Sequence, residues 1–315
     1  MQQMFLGEAI KKRRLELGLT QEQLCEGICE PATISRLENG KQTPSRNRIN
    51  ALLERLDLPA DRYYALLSKN EQEIDALQRQ ITAYNCRYDY ACDDERAQIK
   101  EQAEKAFQEL ESLIEDDDTM SKQFLFRSRI HIGKRDGEYS PDEQKEMLTE
   151  ALRLTVPYFS VSNIEKGLYS VDEIKLINLL AGAYSQNDEH EEALNIYQKL
   201  YEYIKRHFSN VSLSRANLSL LAVNYARELI KGGDFQRALE IADEGKQSCL
   251  DFGHYHALPR LLAIQADAYC RLRNDEKARE LCYQAYYLMQ IIGDHRNLQI
   301  LKRKAKKELG LEFED

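Results

Sequence analysis

The sequence predicts an all-α protein, with a compact module of five helices in front and stacked pairs of helices behind it. Three observations predict this. Chain breakers are scarce, with 6 prolines and 14 glycines in 315 residues, while Leu, Ala, Glu, Lys and Gln, which enter helices readily, are plentiful. Apolar residues recur at steps of three and four, the spacing of one helical face. One small residue also returns at long, nearly regular intervals: Ala151, Ala193, Ala238 and Ala278 stand 42, 45 and 40 residues apart.

The front module can be justified element by element. Phe5, Leu6, Ala9, Ile10 and Leu17 lie at helical spacing, and Gly18 stops that first helix. Thr20 is a good N-cap, and Gln23 sits where a capping box wants its amide or carboxylate. Leu24 and Ile28 are four apart and share a face of the second helix. Pro31 suits the first turn of a third helix, where its missing N–H costs nothing. Ile34 and Leu37 bury that helix against the second, and Asn39-Gly40 suits a left-handed cap at its end. Once this face is buried, Glu30, Ala32, Thr33, Ser35 and Arg36 remain outside. They are short or polar, apart from Arg36 at the far end. A helix with such a face can enter the DNA major groove and bring its first residues to base edges. Gln21 opens the second helix, where free N–H groups can meet a phosphate. Thr43-Pro44-Ser45 starts a fourth helix, Arg46 to Leu56, with Ile49, Leu52, Leu53 and Leu56 facing in. A fifth, near Ala60 to Leu67, closes the module.

The stretch Thr20 to Lys41, TQEQLCEGICEPATISRLENGK, resembles the Cro/repressor-type (Xre) helix-turn-helix. The Thr20-Gln21 pair, the run Ile34-Ser35-Arg36 and Glu38-Asn39-Gly40 carry the likeness. Ile34 comes one residue earlier than in the commonest form. The variant with Gly27-Ile28-Cys29 before that run looks like the Rgg/PlcR (RRNPP) group of peptide-responsive regulators from Gram-positive bacteria. The resemblance implies a Cro/repressor-like DNA-binding domain, with Gln21, Glu30, Pro31, Ala32, Thr33, Ser35, Arg36, Asn39 and Lys41 at the duplex. It implies an Arg14–Glu38 pair that ties the first helix to the end of the third. It further implies a homodimer on a two-fold operator, and a helical-repeat sensor behind for a short linear peptide.

From Leu67 the pattern changes. Leu67, Ile74, Leu77, Ile81, Tyr84 and Tyr88 form a seam that fits either a linker helix pairing with its mate in a dimer or the first helix of an array. A second long helix, 97–114, ends at Glu115-Asp116-Asp117-Asp118, read as a solvated helix end. Helices at 121–134, 173–186, 214–231 and 257–272 are then each followed by a helix that carries one of the recurring alanines. Tyr184, Leu229 and Tyr269 stand nine residues before three of them. This resembles the tetratricopeptide repeat, in which a small residue on the second helix lets the first pack closely. The longer period means extended helices or loops. One pair cannot bury its apolar face alone, and stacked neighbours can. The expected divisions are 1–66, a linker and first repeat at 67–118, repeats at 119–297 and a capping helix at 298–315.

Stacked pairs of this kind make a right-handed superhelix with a concave face lined by first helices, a surface suited to an extended peptide. Lys175, Asn178, Arg215, Asn217, Asn224 and Arg260 are the candidates. Amides both donate and accept to a peptide backbone, and Arg215 or Arg260 suits a carboxyl terminus. The plain alternative for each is a solvated helix face.

Composition bounds the rest. The net charge of −9 divides into +1 for residues 1–66 and −10 for the remainder. A head so weakly basic depends on dimerisation and base contacts more than on bulk charge, with Lys11, Lys12, Arg13, Arg36, Lys41, Arg46 and Arg48 as its phosphate-facing cations. Seven cysteines form no C-x-x-C pair. Cys25 and Cys29 fall at small apolar positions of the head, and His254 and His256 read as loop residues, so neither metal, disulfide nor cofactor is expected. There is no Walker loop, G-x-G-x-x-G or H-E-x-x-H, which argues against an enzyme. The absence of a long apolar run and of a signal peptide points to the cytosol. Two functions fit: a transcription factor controlled by a peptide, or a scaffold whose repeats grip a partner protein while the head only tethers it to DNA.

Overall fold

The computed structural model describes residues 6–42, 44–58, 69–207 and 212–313, and among these every regular element is helical. The chain forms two compact units: Met1–Ala83 with Ala103–Leu180, and Tyr84–Gln102 with Ala181–Asp315. No helix among the described residues is long and apolar enough to cross a membrane.

The first unit opens with α1 (Leu6–Glu16), α2 (Gln21–Cys25), α3 (Pro31–Glu38) and α4 (Arg46–Arg55). Ile10, Leu24, Ile28, Ile34, Leu37, Ile49, Leu52, Leu53 and Leu56 close over one another in a single buried cluster. Each such side chain contributes about 1.5–3 kcal/mol on leaving water, so this cluster holds the four helices together. All of them were expected inside. Leu17 was too, yet it is 40% exposed: α1 ends one residue earlier, and Gly18 turns the chain at φ +69°. Phe5, Thr43 and the fifth helix expected near 60–67 lie outside the described residues.

Helix α2 has the expected capping box, with Gln23 N–H donating to Thr20 Oγ1 (3.1 Å) and Thr20 N–H to Gln23 Oε1 (2.8 Å). It is shorter than expected. It stops at Cys25, and Gly27 adopts φ +71°. Ile28 still reaches the core because its N–H bonds back to the Cys25 carbonyl at 2.9 Å. Glycine at 27 is required twice over, since a Cβ there would stand 1.7 Å from the Thr155 carbonyl oxygen. The same closeness recurs between α1 and α3, where a Cβ on Gly7 would meet the Leu37 carbonyl oxygen at 2.0 Å.

The chain continues through α5 (Lys69–Tyr90), α6 (Asp93–Leu113), α7 (Thr119–Asp136), α8 (Pro141–Arg153) and α9 (Val171–Gln186). The acidic run before α7 is more than a solvated end. Asp118 accepts from the Ser121 N–H at 3.0 Å and caps α7, and Asp117 accepts from Arg48 at 2.6 Å. Arg48 is thereby paired within the first unit, which corrects its expected place among the phosphate-facing cations.

The second unit takes the end of α9, then α10 (His190–His207), α11 (Ser212–Lys231), α12 (Phe235–Phe252), α13 (Leu258–Arg271), α14 (Asp275–Ile292) and α15 (His295–Leu309). Ala193, Ala238 and Ala278 are fully buried, as a close helix crossing demands. The three hairpin turns are built alike. Asp188, Gly233 and Arg273 adopt φ of 58°, 84° and 62°. The next N–H in each case, that of Glu189, Asp234 or Asn274, bonds to the carbonyl of Tyr184, Leu229 or Tyr269 at 3.1, 3.0 and 2.9 Å. This is the six-residue bond of a left-handed helix cap, and it explains why those three residues recur at a fixed distance from the alanines.

Candidate DNA interface and ligand groove

Three helices of the head meet at one carboxylate. Arg14 on α1 clasps Glu38 at the end of α3, with Nε–Oε1 at 2.6 Å and Nη2–Oε2 at 3.0 Å. The pairing is the one the resemblance implied, and both side chains are buried. Gln21 at the start of α2 donates its amide to Glu38 Oε2 at 2.7 Å, and Arg14 Nη1 donates to the Leu19 carbonyl at 2.8 Å. A carboxylate in the last turn opposes the helix dipole, so Glu38 depends on these donors. In return, Glu38 holds the Arg14 pKa above its ordinary value. The cluster fixes the tilt of α3 on α1 and α2.

The opposite side of α3 faces solvent. Glu30, Ala32, Arg36, Asn39 and Lys41 are exposed, while Pro31, Thr33, Ser35 and Gln21 are half-buried. Ala32, Arg36 and Asn39 follow one another at steps of four and three around that face, and Thr33 stands three before Arg36 beside them. Asn39 Nδ2 donates to the Ser35 carbonyl at 2.7 Å, and Lys41 N–H to the Arg36 carbonyl at 2.8 Å. The end of the helix is thus closed by its own residues. The arrangement presents a low first turn flanked by one long cation.

In the second unit α11, α13 and α15 border a groove of about 110 Å³. Ile230, Ala263, Ile264, Ile300 and Leu301 line it together with Arg227, Arg260, Asp267 and Lys304. Of the six residues expected to meet a peptide, Arg260 lines this groove. Asn224 is half-buried on α11 and already bonded. Asn217 is only 5% exposed and also bonded, so it packs the α11 wall instead of opening onto a surface, a correction to its expected orientation. The side chain of Arg215 lies outside the described residues. Lys175 and Asn178 belong to the first unit, where Lys175 pairs with Asp172 at 3.2 Å and Asn178 is bonded. Arg227, Asp267 and Lys304 went unnoticed in the sequence. Among the described residues no cluster of His, Cys, Asp and Glu is arranged to hold a metal. Cys25 is buried and Cys29 half-buried, where burial pushes the Cys29 thiol up to about 11.

Residues 10–63 match the family described as HTH_3: Helix-turn-helix. The front module is a helix-turn-helix domain. The chain as a whole has the fold of several solved regulators. Bacillus thuringiensis PlcR in complex with the peptide PapR7 and DNA aligns over 94% of this chain and 98% of its own, with 19% identity and a TM-score of 0.60. ComR from S. thermophilus, in complex with DNA and its signalling peptide ComS, aligns over 97% and 100%, with 13% identity and a TM-score of 0.55. The apo form of ComR from Streptococcus vestibularis aligns over 96% and 98%, with 15% identity and a TM-score of 0.55. No curated protein matches the sequence.

The helix-turn-helix domain is seated on α8 and α9 by a buried polar network that no sequence pattern announced. Arg55 Nη1 donates to the carbonyls of Leu24 (3.0 Å) and Glu26 (2.6 Å), and Nη2 to the Thr155 carbonyl (3.3 Å). Its guanidinium lies 3.5 Å from Glu173, with both side chains about 2% exposed. Thr155 Oγ1 donates to Glu173 at 2.5 Å and accepts from Gln123 at 2.6 Å. Next to Arg55, Glu54 accepts the Val171 N–H at 2.9 Å, at the start of α9. Asp172 beside it is different: burial alone would raise it, but Arg127 and Lys175 outweigh that and hold it at about 2.

Glu54 has no cation of that quality, and burial raises it to about 7 despite the Val171 bond. The folded state therefore holds a proton that the unfolded chain releases near 4.5. Stability from this group is greatest below pH 4.5 and is lost as pH rises through 7. Glu54→Gln, which keeps an acceptor for Val171, is expected to raise the melting temperature at pH 8. The gain corresponds to about 3 kcal/mol at pH 8 and fades only as pH falls to about 4.5 and below. Thermal scans of both proteins across that range check it. A gain equal at both pH values contradicts the assignment.

Proposed function

We propose that the protein is a transcription regulator that reads a two-fold DNA site as a homodimer and is set by a short linear peptide. The observation that carries the reading is α3, with its low polar outer face and its tilt fixed by the Arg14–Glu38–Gln21 cluster. Ala32, Thr33 and Ser35 are assigned to base edges, with Glu30 and Pro31 at the entry of the helix. Arg36 and Lys41 are assigned to phosphates or to bases beyond the first turn, and Asn39 closes the helix beside them. Gln21, whose amide is committed to Glu38, contributes its backbone N–H to a phosphate. On this reading residues 1–66 read DNA, 67–118 link, 119–297 sense and 298–315 cap. Within the second unit, Asn224 and Arg260 are the expected peptide contacts that this reading keeps. The likeness in fold to PlcR and ComR, each solved with both a peptide and DNA, supports joining the two activities. Such a regulator works in the cytoplasm and is not an enzyme.

Thr33→Ala and Arg36→Ala are each expected to weaken binding to a selected duplex by about tenfold, or roughly 1–3 kcal/mol, without moving the melting temperature. Gel shift with matched thermal scans tests this. Wild-type affinity in both variants removes α3 as the reader.

A further inference from the structure

We infer that the groove between α11, α13 and α15 takes an aliphatic side chain of the peptide that carries a carboxylate beside it, with Arg260 binding the carboxylate. This rests on the peptide-sensing reading above. Size is the first argument. The groove measures about 110 Å³. An apolar cavity of about 150 Å³ admits benzene, so this one suits a branched aliphatic side chain. Ala263 and Ala305 leave the space, between Ile264, Ile300 and Leu301.

Charge is the second argument. Asp267 is satisfied by Lys304 at 2.9 Å and approached by Arg271 at 3.6 Å. Arg271 also reaches Glu308 at 3.8 Å. These charges cancel among themselves. Arg260 is different: among the described residues it pairs with no carboxylate. Its Nη2 donates to the Tyr90 hydroxyl at 3.2 Å, and its guanidinium lies 5.8 Å from the centre of that ring. Its Nε is buried without a hydrogen-bond partner. Burial keeps the Tyr90 phenol neutral by raising its pKa. A half-buried guanidinium without an anion is unfavourable, and a carboxylate meets its fork with two parallel bonds. The groove and the cation adjoin on α13, because Arg260, Ala263, Ile264 and Asp267 share one face at helical spacing.

The test uses the full-length protein and a randomised heptapeptide library displayed with free carboxyl ends. The wild type is expected to enrich peptides in which Val, Ile or Leu lies within two positions of a carboxylate, either the terminal one or an Asp or Glu. Resynthesis of the enriched peptides as acid and as C-terminal amide distinguishes the two sources. Ala263→Leu, which fills the groove, is expected to weaken those peptides at least tenfold. Arg260→Gln is expected to remove most of the preference for the charged form while retaining the aliphatic one. Thermal scans confirm that both variants fold. Enrichment of peptides without that pairing, or variants that bind them as the wild type does, overturns this subsite and leaves the peptide-sensing reading standing. No enrichment of any peptide overturns both.

Discussion

Arg14→Met is expected to destabilise the helix-turn-helix domain by about 3–5 kcal/mol, because it strands the buried Glu38 carboxylate in the last turn of α3 with only Gln21 for a partner. Glu38→Leu alone should cost a similar amount by stranding the guanidinium. The double variant Arg14→Met/Glu38→Leu should recover most of the loss, since two apolar side chains of similar volume leave no unpaired charge. The residual deficit of about 1 kcal/mol reflects the bonds lost by Gln21 and by the Leu19 carbonyl. Hydrogen exchange over α1 to α3 is the direct measurement. The account fails here if the two single losses simply add.

Gly27→Ala is the second large effect. The new methyl group would sit 1.7 Å from the Thr155 carbonyl oxygen, and alanine would have to adopt φ +71° as well. The conformational part is worth about 1–2 kcal/mol. The clash adds to it, because what stands in the way is backbone, which Arg55 holds through the same Thr155 carbonyl at 3.3 Å. A total of about 3 kcal/mol or more is expected. Faster exchange should appear both in residues 24–29 and around Thr155. Exchange confined to residues 24–29 would show that the two segments are not in contact.

The head was legible in the sequence where its structure is local. Ile34 and Leu37, the Thr20–Gln23 capping box and the Asn39-Gly40 stop all depend on neighbours within a few positions. The same holds for Tyr184, Leu229 and Tyr269, which repeat because one turn geometry repeats. The errors have physical reasons too. Leu24 and Ile28, four apart, read as one helical face, but a glycine in the left-handed conformation delivers Ile28 to the core without a helix. Arg48 and Arg55 find their carboxylates 69 and 118 residues away, and a pairing of that separation leaves no periodic trace. The groove was partly visible. Arg227 and Asp267 stand 40 residues apart, the same interval as Leu229 and Tyr269, so aligning the repeats would have placed them on one wall. In the sequence Arg260 is a cation on a first helix, suited to a carboxyl terminus as Arg215 is. What distinguishes it, a buried Nε without a partner, is a property of packing.

Selection of the full-length protein against a randomised duplex pool tests the central claim most directly. The account predicts enrichment of two half-sites related by a dyad, their centres about 34–36 Å apart or a multiple of that. The same pool carried through with the Thr33→Ala/Arg36→Ala double variant should enrich far less. A wild-type pool that stays unenriched, or a double variant that selects the same sites as strongly, contradicts it.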